Sequence, residues 1–552
     1  MVSRCSKDDF NIIEPSTLAR EISSKFDCSF LQASLLEIRG VDLDSADSLV
    51  SNWLNPNLTN LLDNLNLGET NQEAVRLVSN LNESSNVVVY GDYDVDGISS
   101  TTIAVNICLA KKANVRYFIP HRFRQGYGLH MDIISTISQR KCDLVIVVDC
   151  GSQDVEEVAL LKEQGVPVII FDHHLIEAEP APCDTMINPQ LQGDFFSKKL
   201  CATGVIWCWA LKSSIISEEE LYKCLDLVAL ATIADCVAMS SPLNRALVKE
   251  GLKILRTAPR PGLFVLMEKL GIVSNYVNTE DLAMKVIPCL NATGRLYLAD
   301  LAVKILFPCE NVSEYVDKII FLNKKRKELS SKILSQVEKG SSDGFQFVLM
   351  NEEWSAGVLS SVASRVCFSK NTPVALVAAN GEVMRGTLRM PNGGNAVEIL
   401  KGLDSLLLTW GGHKLAAGFS VKMDNWRLLR TKMEEALSKV TVVGEKESLL
   451  YWNPTDLNLD SWQEAEMLGP FGLDNPKPQM YFDYDGNVSI LPLGKTGRHV
   501  KIETGNAELL GFGAAEMISD RQDLLGWAYT PRFETWRNFT SLQFVLDKMI
   551  VE

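Results

Sequence analysis

The 552-residue sequence contains no apolar run approaching the roughly 18 residues that would suggest a membrane span. Its opening stretch, MVSRCSKDDFNIIEPS, holds no uninterrupted apolar core of signal-peptide length. These two absences make a cytoplasmic chain without a membrane partner the expectation. There is no C-x-x-C pair among the thirteen cysteines, and Cys108, Cys150, Cys236 and Cys289 sit inside apolar stretches. They read as reduced core residues, in keeping with a reducing compartment. Positive charge is also scarce: 54 Lys and Arg face 69 Asp and Glu, a net charge of −15. That excludes coating nucleic acid by bulk charge but leaves room for a local basic groove. What the chain does have is length for three or four domains and a hydrophobic content of 46%, ample for real cores.

The stretch VVVYGDYDVDGISSTT (residues 87–102) places Asp92, Asp94 and Asp96 on alternate positions directly after an apolar run. Three like charges this close repel, so something positive must offset them. A calcium loop of the EF-hand kind matches D-x-D-x-D-G over its first six positions, with Gly97 at the sixth. It fails at the twelfth, where Ile103 replaces the bidentate Glu, and it is entered from Val87-Val88-Val89 rather than from a helix. What remains is a strand leading through Gly97 into the periodic apolar segment Ile98, Ile103, Val105 and Leu109. Such a strand–loop–helix unit puts its loop at the carboxyl edge of a sheet, where open α/β folds bind ligands.

The pattern repeats. LVIVVDCGS runs five apolar residues into Asp149, and VPVIIFDHH runs four into Asp172, His173 and His174. Continuous apolar runs are the mark of buried parallel strands. One carboxylate after a strand is commonplace, whereas three such coincidences point to a metal site, because clustered carboxylates and imidazoles are what divalent ions require. Bridging carboxylates suggest two ions, an arrangement that activates water and clamps a phosphoryl group in line.

These residues carry a resemblance. GDYDVDG, VVDCG, DHH and LATIADCVAM resemble the four motifs of the DHH phosphoesterase superfamily. CLNATGR, WSAGVLSSVASR, WGGHKLAAG and GPFGLDNPKP follow in the order seen in bacterial RecJ single-stranded-DNA-specific exonucleases, so that the resemblance runs from about Val87 to the end. It implies an α/β protein: a parallel-sheet DHH domain and an α/β DHH-associated domain joined by a long helix, with a C-terminal OB-like β-barrel. The corresponding boundaries are an N-terminal lead segment at 1–80, the DHH domain at 81–310, the helix at 311–340, the associated domain at 341–445 and the barrel at 446–552. The resemblance further implies two Mn2+ or Mg2+ ions held by Asp94, Asp96, Asp149, His173 and Asp235, with Asp92 beside them. His174 would contact the scissile phosphate or assist the leaving group, and Asp172 would orient a neighbouring histidine. Asp235 ends the apolar segment LDLVALATIAD, and without the resemblance it reads as a solvent-facing helix terminus.

Substrate contacts follow in the same way. Arg389 in RGTLRM takes the place of a phosphate-binding arginine, although Leu388 and Met390 stand where the family has small residues. Gly411 and Gly412 in WGGHKLAAG would let backbone approach a ligand, with His413 donating to a phosphate. Arg295 and Arg365 are further phosphate candidates, each equally at home in a structural ion pair. Ser355 departs from the family, which commonly carries histidine there. In the last hundred residues, Lys495, Arg498, His499 and Lys501 form a basic hairpin, and Trp527, Phe533 and Trp536 are aromatic candidates better read as core. The dense run Lys324-Lys325-Arg326-Lys327 reads as a solvated face of the connecting helix.

The expected function is hydrolysis of single-stranded DNA from the 5′ end, in repair and recombination, by a monomer. Single-stranded DNA is the expected partner, with a single-strand-binding protein and a helicase as protein candidates. Polarity and the preference for DNA come from the resemblance alone. Two alternatives stand beside it. A DHH phosphodiesterase of short oligoribonucleotides or cyclic dinucleotides would share the metal site but lack the barrel, and a non-catalytic replication scaffold would have lost ligands that are present here.

Overall fold

The computed structural model describes residues 2–45, 47–68, 71–139, 141–340, 345–379, 382–444, 446–494, 497–505, 507–519, 523–536 and 539–552. Two short strands open the chain, β1 (Ser3–Ser6) and β2 (Phe10–Ile13). Next come β3 (Asn86–Gly91), β4 (Asn114–Phe118), β5 (Leu144–Val148), β6 (Val168–Phe171) and β7 (Thr185–Ile187), an all-parallel sheet in the order β4-β3-β5-β6-β7. Every residue of β5 and β6 is buried, as continuous apolar runs between two helical layers demand. Because β3 has β4 on one side and β5 on the other, the chain changes direction between them, and the crevice at that switch lies at the carboxyl ends of β3 and β5.

The associated domain is a five-stranded mixed sheet of β8 (Val348–Asn351), β9 (Val374–Ala378), β10 (Val383–Arg389), β11 (Thr409–His413) and β12 (Ala416–Lys422), in the order β11-β12-β10-β9-β8. The helix Val312–Glu338 joins it to the first sheet. Val316, Ile319 and Leu322 are packed in the parallel-sheet core, whereas Ile333 and Val337 sit in the core between β9 and the helix Ala356–Lys370. The connection is thus anchored at both ends by buried apolar side chains.

The OB-like unit contains β13 (Glu447–Tyr451), β14 (Met480–Asp483), β15 (Ser489–Leu493), β16 (His499–Thr504), β17 (Ala507–Gly511), β18 (Leu524–Trp536) and β19 (Phe539–Val551). It borrows two strands from the other end of the chain: β1 pairs in parallel with β19, and β2 with β13. The first eighty residues, expected as one lead segment, therefore divide between two bodies. Ala19, Ile22, Leu31 and Leu35 pack with Trp462 and Met480 in the C-terminal core, while Leu58, Leu62, Ala74 and Val78 pack on the parallel sheet. Trp527 is fully buried in the C-terminal core and offers no face to a ligand. Of the four cysteines expected inside, Cys108, Cys150 and Cys289 are buried, but Cys236 is exposed. It lies just past the end of the helix Leu225–Ala234, at a left-handed φ of 53°, where the chain has already turned towards solvent.

Candidate metal centre and nucleic-acid interface

Asp92 and Asp94 leave the end of β3, Asp149 follows β5, and the Asp172-His173-His174 run follows β6. Since β3, β5 and β6 are neighbours, alignment of the parallel strands alone brings these side chains to one edge. Asp94 caps the helix Val95–Ala110, accepting from the backbone amides of Asp96 at 3.0 Å and Gly97 at 3.1 Å. Gly97 has a local reason: a Cβ there would lie 2.4 Å from the carbonyl oxygen of Asp92. Asp96, buried in the first turn of the helix Val95–Ala110, spends its carboxylate on the start of another helix, Ala202–Lys212. Its Oδ2 accepts from Ala202 N at 2.7 Å, and its Oδ1 accepts from Thr203 N at 2.8 Å and Thr203 Oγ1 at 2.5 Å. Asp149 holds a φ of 61°, a strained conformation for a residue with a side chain and one found where function fixes a loop.

His173 sits at the centre. Its Nε2 lies 3.5 Å from Asp149 Oδ1, 3.6 Å from Asp235 Oδ2 and 3.8 Å from Asp96 Oδ2. Asp235 reaches the cluster from the end of the helix Leu225–Ala234, so tertiary packing turns an unremarkable helix terminus into part of the site. Three sets of ligand atoms each lie within 4.8 Å of one another: Asp92, Asp94 and Asp149; Asp96, His173 and Asp235; and Asp149, His173 and His174. Asp92 Oδ1 and His173 Nε2 are buried without a hydrogen-bond partner among the described residues. Burial, reinforced by Asp94, raises the Asp92 carboxyl well above its ordinary value. Burial and the surrounding Asp96, Asp94, Asp92 and Asp235 do the same to Asp149, and burial with Asp96 and Asp94 pushes Asp235 up to about 8. A site whose acids resist ionisation together, and whose buried lone pairs have no donor, is chemically suited to divalent cations.

His174 is held differently. Asp172 Oδ1 lies 2.7 Å from His174 Nδ1 and also accepts from the His173 amide. Burial opposes charge on His174, but the hydrogen bond and charge of Asp172, with Asp235 and Asp96 nearby, lift it to about 9. Burial likewise opposes ionisation of Asp172, and the His174 hydrogen bond nevertheless holds it well below the usual carboxylate range. Asn188 and Gln190 donate to the His174 and His173 carbonyls and fix the turn.

Two residues that were not singled out in the sequence belong here. The Tyr127 hydroxyl lies 3.0 Å from His174 Nδ1 and 3.2 Å from the Asp149 carbonyl. Arg122 stacks over Tyr93, between Asp92 and Asp94, with its guanidinium 4.7 Å from the ring centre. Both lie in the run HRFRQGYG, which follows β4 on the same carboxyl edge; its density of Arg, His and Tyr was the available signal. Arg122 faces cations from two other elements. Burial and the proximity of Arg122, Arg326 and Arg389 lower Arg295 to about 10, and burial with Arg122 lowers Arg389. Arg295 donates to Ser360 Oγ at 2.8 Å, and Arg389 Nε donates to Ser364 Oγ at 2.9 Å, both on the helix Ala356–Lys370. A cationic wall thus faces the acidic cluster across the boundary with the associated domain.

The other sequence-derived residues spread outwards. Arg365 is exposed on the same helix, and Ser355 immediately precedes that helix. Gly411, Gly412 and His413 lie on the exposed edge strand β11. Gly412 is required by its own hairpin, since at a φ of 144° a Cβ would come 2.4 Å from the Ala416 carbonyl oxygen. Arg498 is exposed just before β16, whereas Lys501 is spent on ion pairs with Glu503 at 2.6 Å and Glu508 at 3.0 Å. Lys495 lies outside the described residues, as does the Trp536 side chain. Phe533, in contrast to its reading as core, is exposed on β18.

Three family models match the chain in sequence: the DHH family N-terminal domain over residues 86–232, the DHHA1 domain over 343–440 and the RecJ OB domain over 450–548. A crystal structure of exonuclease RecJ bound to manganese is 31% identical, with a TM-score of 0.59, and the match covers 68% of this chain and 97% of that one. The chain belongs to the RecJ family. The match of this family member to the Thermus thermophilus RecJ crystallised with Mn2+ covers 98% of the chain and 79% of that protein, with a TM-score of 0.81 and 26% identity. Among curated RecJ sequences, each called a single-stranded-DNA-specific exonuclease, the Bacillus subtilis protein is 30% identical over 509 residues and the Escherichia coli protein 29% over 529. The chain spans 63% of the length of the former and 90% of the latter.

Proposed function

We propose that this RecJ-family chain is a metal-dependent exonuclease that hydrolyses single-stranded DNA from the 5′ end, in repair and recombination. The observation that carries the reading is the buried cluster around His173 Nε2, whose acids cannot ionise together without added positive charge. Asp92, Asp94 and Asp149 would hold one Mn2+ or Mg2+ ion and Asp96, His173 and Asp235 a second, a donor set suited to these hard cations. When bound, such ions supply Lewis acidity towards water and phosphate. The remaining work falls to the chain. Arg122, Arg295 and Arg389 hold phosphate oxygens by charge-assisted hydrogen bonds. Asp172 orients the His174 ring through Nδ1, leaving Nε2 to donate a proton to a phosphate oxygen or to the departing 3′-oxygen. Tyr127 supports that ring through an edge-on contact and through its hydroxyl, which also reaches Nδ1.

Arg389 and His413 come from the associated domain and are assigned to the strand terminus, with Gly411 and Gly412 carrying the hairpin that presents His413. Arg365 extends this surface, and Arg498 with Lys495 receives the outlying strand on the OB-like unit. In this division of labour residues 81–310 catalyse, 311–340 connect, 341–445 fix the end and 446–552 bind strand, joined by β1 and β2 from residues 1–80. The chain acts as a cytoplasmic monomer on strands opened by a helicase and covered by a single-strand-binding protein. Among the described residues no helix is long and apolar enough to cross a membrane. The test is digestion of 5′- and 3′-labelled single strands of DNA and RNA, and of a duplex, with manganese and with EDTA. Release of 5′ mononucleotides from single-stranded DNA, abolished by EDTA, is expected; equal attack on short RNA or on duplex would refute the assignment.

A further inference from the structure

The GPFGLDNPKP stretch of the OB-like unit carries a tight turn that meets the catalytic domain. Gly472 and Asn475 exchange both backbone hydrogen bonds, Gly472 N to Asn475 O at 2.9 Å and Asn475 N to Gly472 O at 3.2 Å. The Asn475 side chain is fully buried and saturated. Its Nδ2 donates to the Leu468 carbonyl at 2.9 Å and the Pro470 carbonyl at 3.0 Å, and its Oδ1 accepts from Arg39 Nε at 2.8 Å. A buried polar network with every member satisfied is rigid. The tip of this turn reaches across to Met239. The Leu473 carbonyl accepts from Met239 N at 2.7 Å, and Gly472 packs so closely that a Cβ there would lie 2.8 Å from Met239 Cγ. Met239 is itself buried, four residues past Asp235.

Asp235 stands at the end of the helix Leu225–Ala234, and the left-handed Cys236 turns the chain into a loop that runs to the helix Pro242–Thr257. Helix ends fray, so a side chain placed there needs tertiary contacts to hold it. From within the catalytic domain, Asn244 Nδ2 donates to the Ala238 carbonyl at 3.0 Å and Arg245 Nη1 to the Met239 carbonyl at 2.9 Å. From outside it, the 472–475 turn takes the Met239 amide. The two supports are linked. Arg245, 1% exposed, stacks 4.0 Å over the Trp53 ring, and Arg39 lies 5.7 Å from the same ring while holding Asn475. We propose that this turn positions Asp235 as a metal ligand, so that the OB-like unit sets the affinity of one of the two cations. The proposal rests on the two-cation reading and extends it. The Asp96, His173 and Asp235 set then depends on a contact from the C-terminal unit, whereas Asp92, Asp94 and Asp149 follow strands of the parallel sheet and do not. Loss of the outer contacts that orient a ligand typically costs about 10- to 100-fold in metal affinity.

The experiment titrates Mn2+ into the full chain without substrate and reads free Mn2+ by electron paramagnetic resonance. Wild type should bind two ions. Gly472→Ala, which drives a Cβ into Met239 Cγ, should raise the dissociation constant of one ion by about 10- to 100-fold and leave the other unchanged. In nuclease assays the same variant should need correspondingly more Mn2+ for half-maximal rate and recover its kcat at saturating Mn2+. Adding Met239→Ala removes Cγ, and the Met239 Cβ that remains is an ordinary 3.8 Å from the new methyl group. The double variant should therefore regain Mn2+ affinity even with its melting temperature below wild type, a reversal that general loss of stability does not produce. Leu509→Ala, in the C-terminal core on β17, should lower the melting temperature and leave both ions bound as in wild type. Parental Mn2+ affinity in Gly472→Ala, no recovery in the double variant, or equal weakening in Leu509→Ala would overturn the proposal. If the wild-type chain binds fewer than two Mn2+ ions, the two-cation reading fails first, and this inference with it.

Discussion

Removing Arg389 asks how such an enzyme tells an end from a middle, since two cations alone would cut any phosphodiester that reached them. The guanidinium is largely committed to structure: Nε donates to Ser364 Oγ at 2.9 Å, and Nη1 to Thr387 Oγ1 at 2.8 Å and the Leu388 carbonyl at 2.9 Å. Nη2 has no partner among the described residues, and the side chain is pinned with that nitrogen in reserve. One charge-assisted hydrogen bond to a terminal phosphate follows, worth about 1.5–3 kcal/mol, or roughly 10- to 150-fold. Arg389→Ala should therefore erode the preference for 5′-phosphate over 5′-hydroxyl strands by about that factor, chiefly through KM. Arg389→Lys should recover part of it, because the charge returns without the planar fork that Ser364 and Thr387 hold. The assay is kcat/KM on matched strands differing only at the 5′ end, with thermal unfolding run alongside, because truncation also removes the bonds to Ser364 and Thr387. Full 5′-phosphate preference in a folded Ala variant would place end recognition elsewhere and refute the reasoning.

Other expectations separate roles that activity alone would merge. Asp149→Ala should abolish turnover while the metal-free protein melts no lower than wild type, because Asp149 is buried among like charges; near-normal nuclease activity would end the two-cation reading. Asp96→Ala should also abolish turnover but cost about 0.5–2 kcal/mol of metal-free stability, since the carboxylate caps the helix Ala202–Lys212; unchanged denaturant midpoints would contradict that. On the OB-like unit, Arg498→Ala should lower the salt dependence of strand binding whereas Lys501→Ala should not, its charge being spent on Glu503 and Glu508; the reverse order in an anisotropy titration would reject this surface. Asp226→Ala, which strands Arg260 after loss of a buried pair at 2.8 Å, should destabilise by about 3–5 kcal/mol and leave activity per folded molecule intact. A drop in specific activity without a stability change would show that the pair serves the site.

Some of this protein is local and was therefore legible. Apolar runs ending in acids specify β3, β5 and β6 and their loops, because burial on both faces of a parallel strand leaves a continuous hydrophobic record. Asp92, Asp94, Asp149, Asp172, His173 and His174 follow as neighbours once those strands lie side by side. The Gly97 turn and the long connecting helix are equally local, written in steric need and in apolar spacing. Other features depend on which distant surfaces meet, and no short stretch records that. Asp235 is an ordinary helix end until packing sets it 3.6 Å from His173. Asp96 doubles as cap and candidate ligand only because Ala202 and Thr203 arrive from another helix. Arg122 and Tyr127 gain meaning from the acids of β3 and β5, and the charge of Lys501 is paired by Glu503 on its own strand and Glu508 across the hairpin. The pairing of β1 and β2 with strands at the far end of the chain is the extreme case. Hydrogen-bonded partners there are chosen by the shared core, where burial of both ends of the chain together outweighs their separation in sequence.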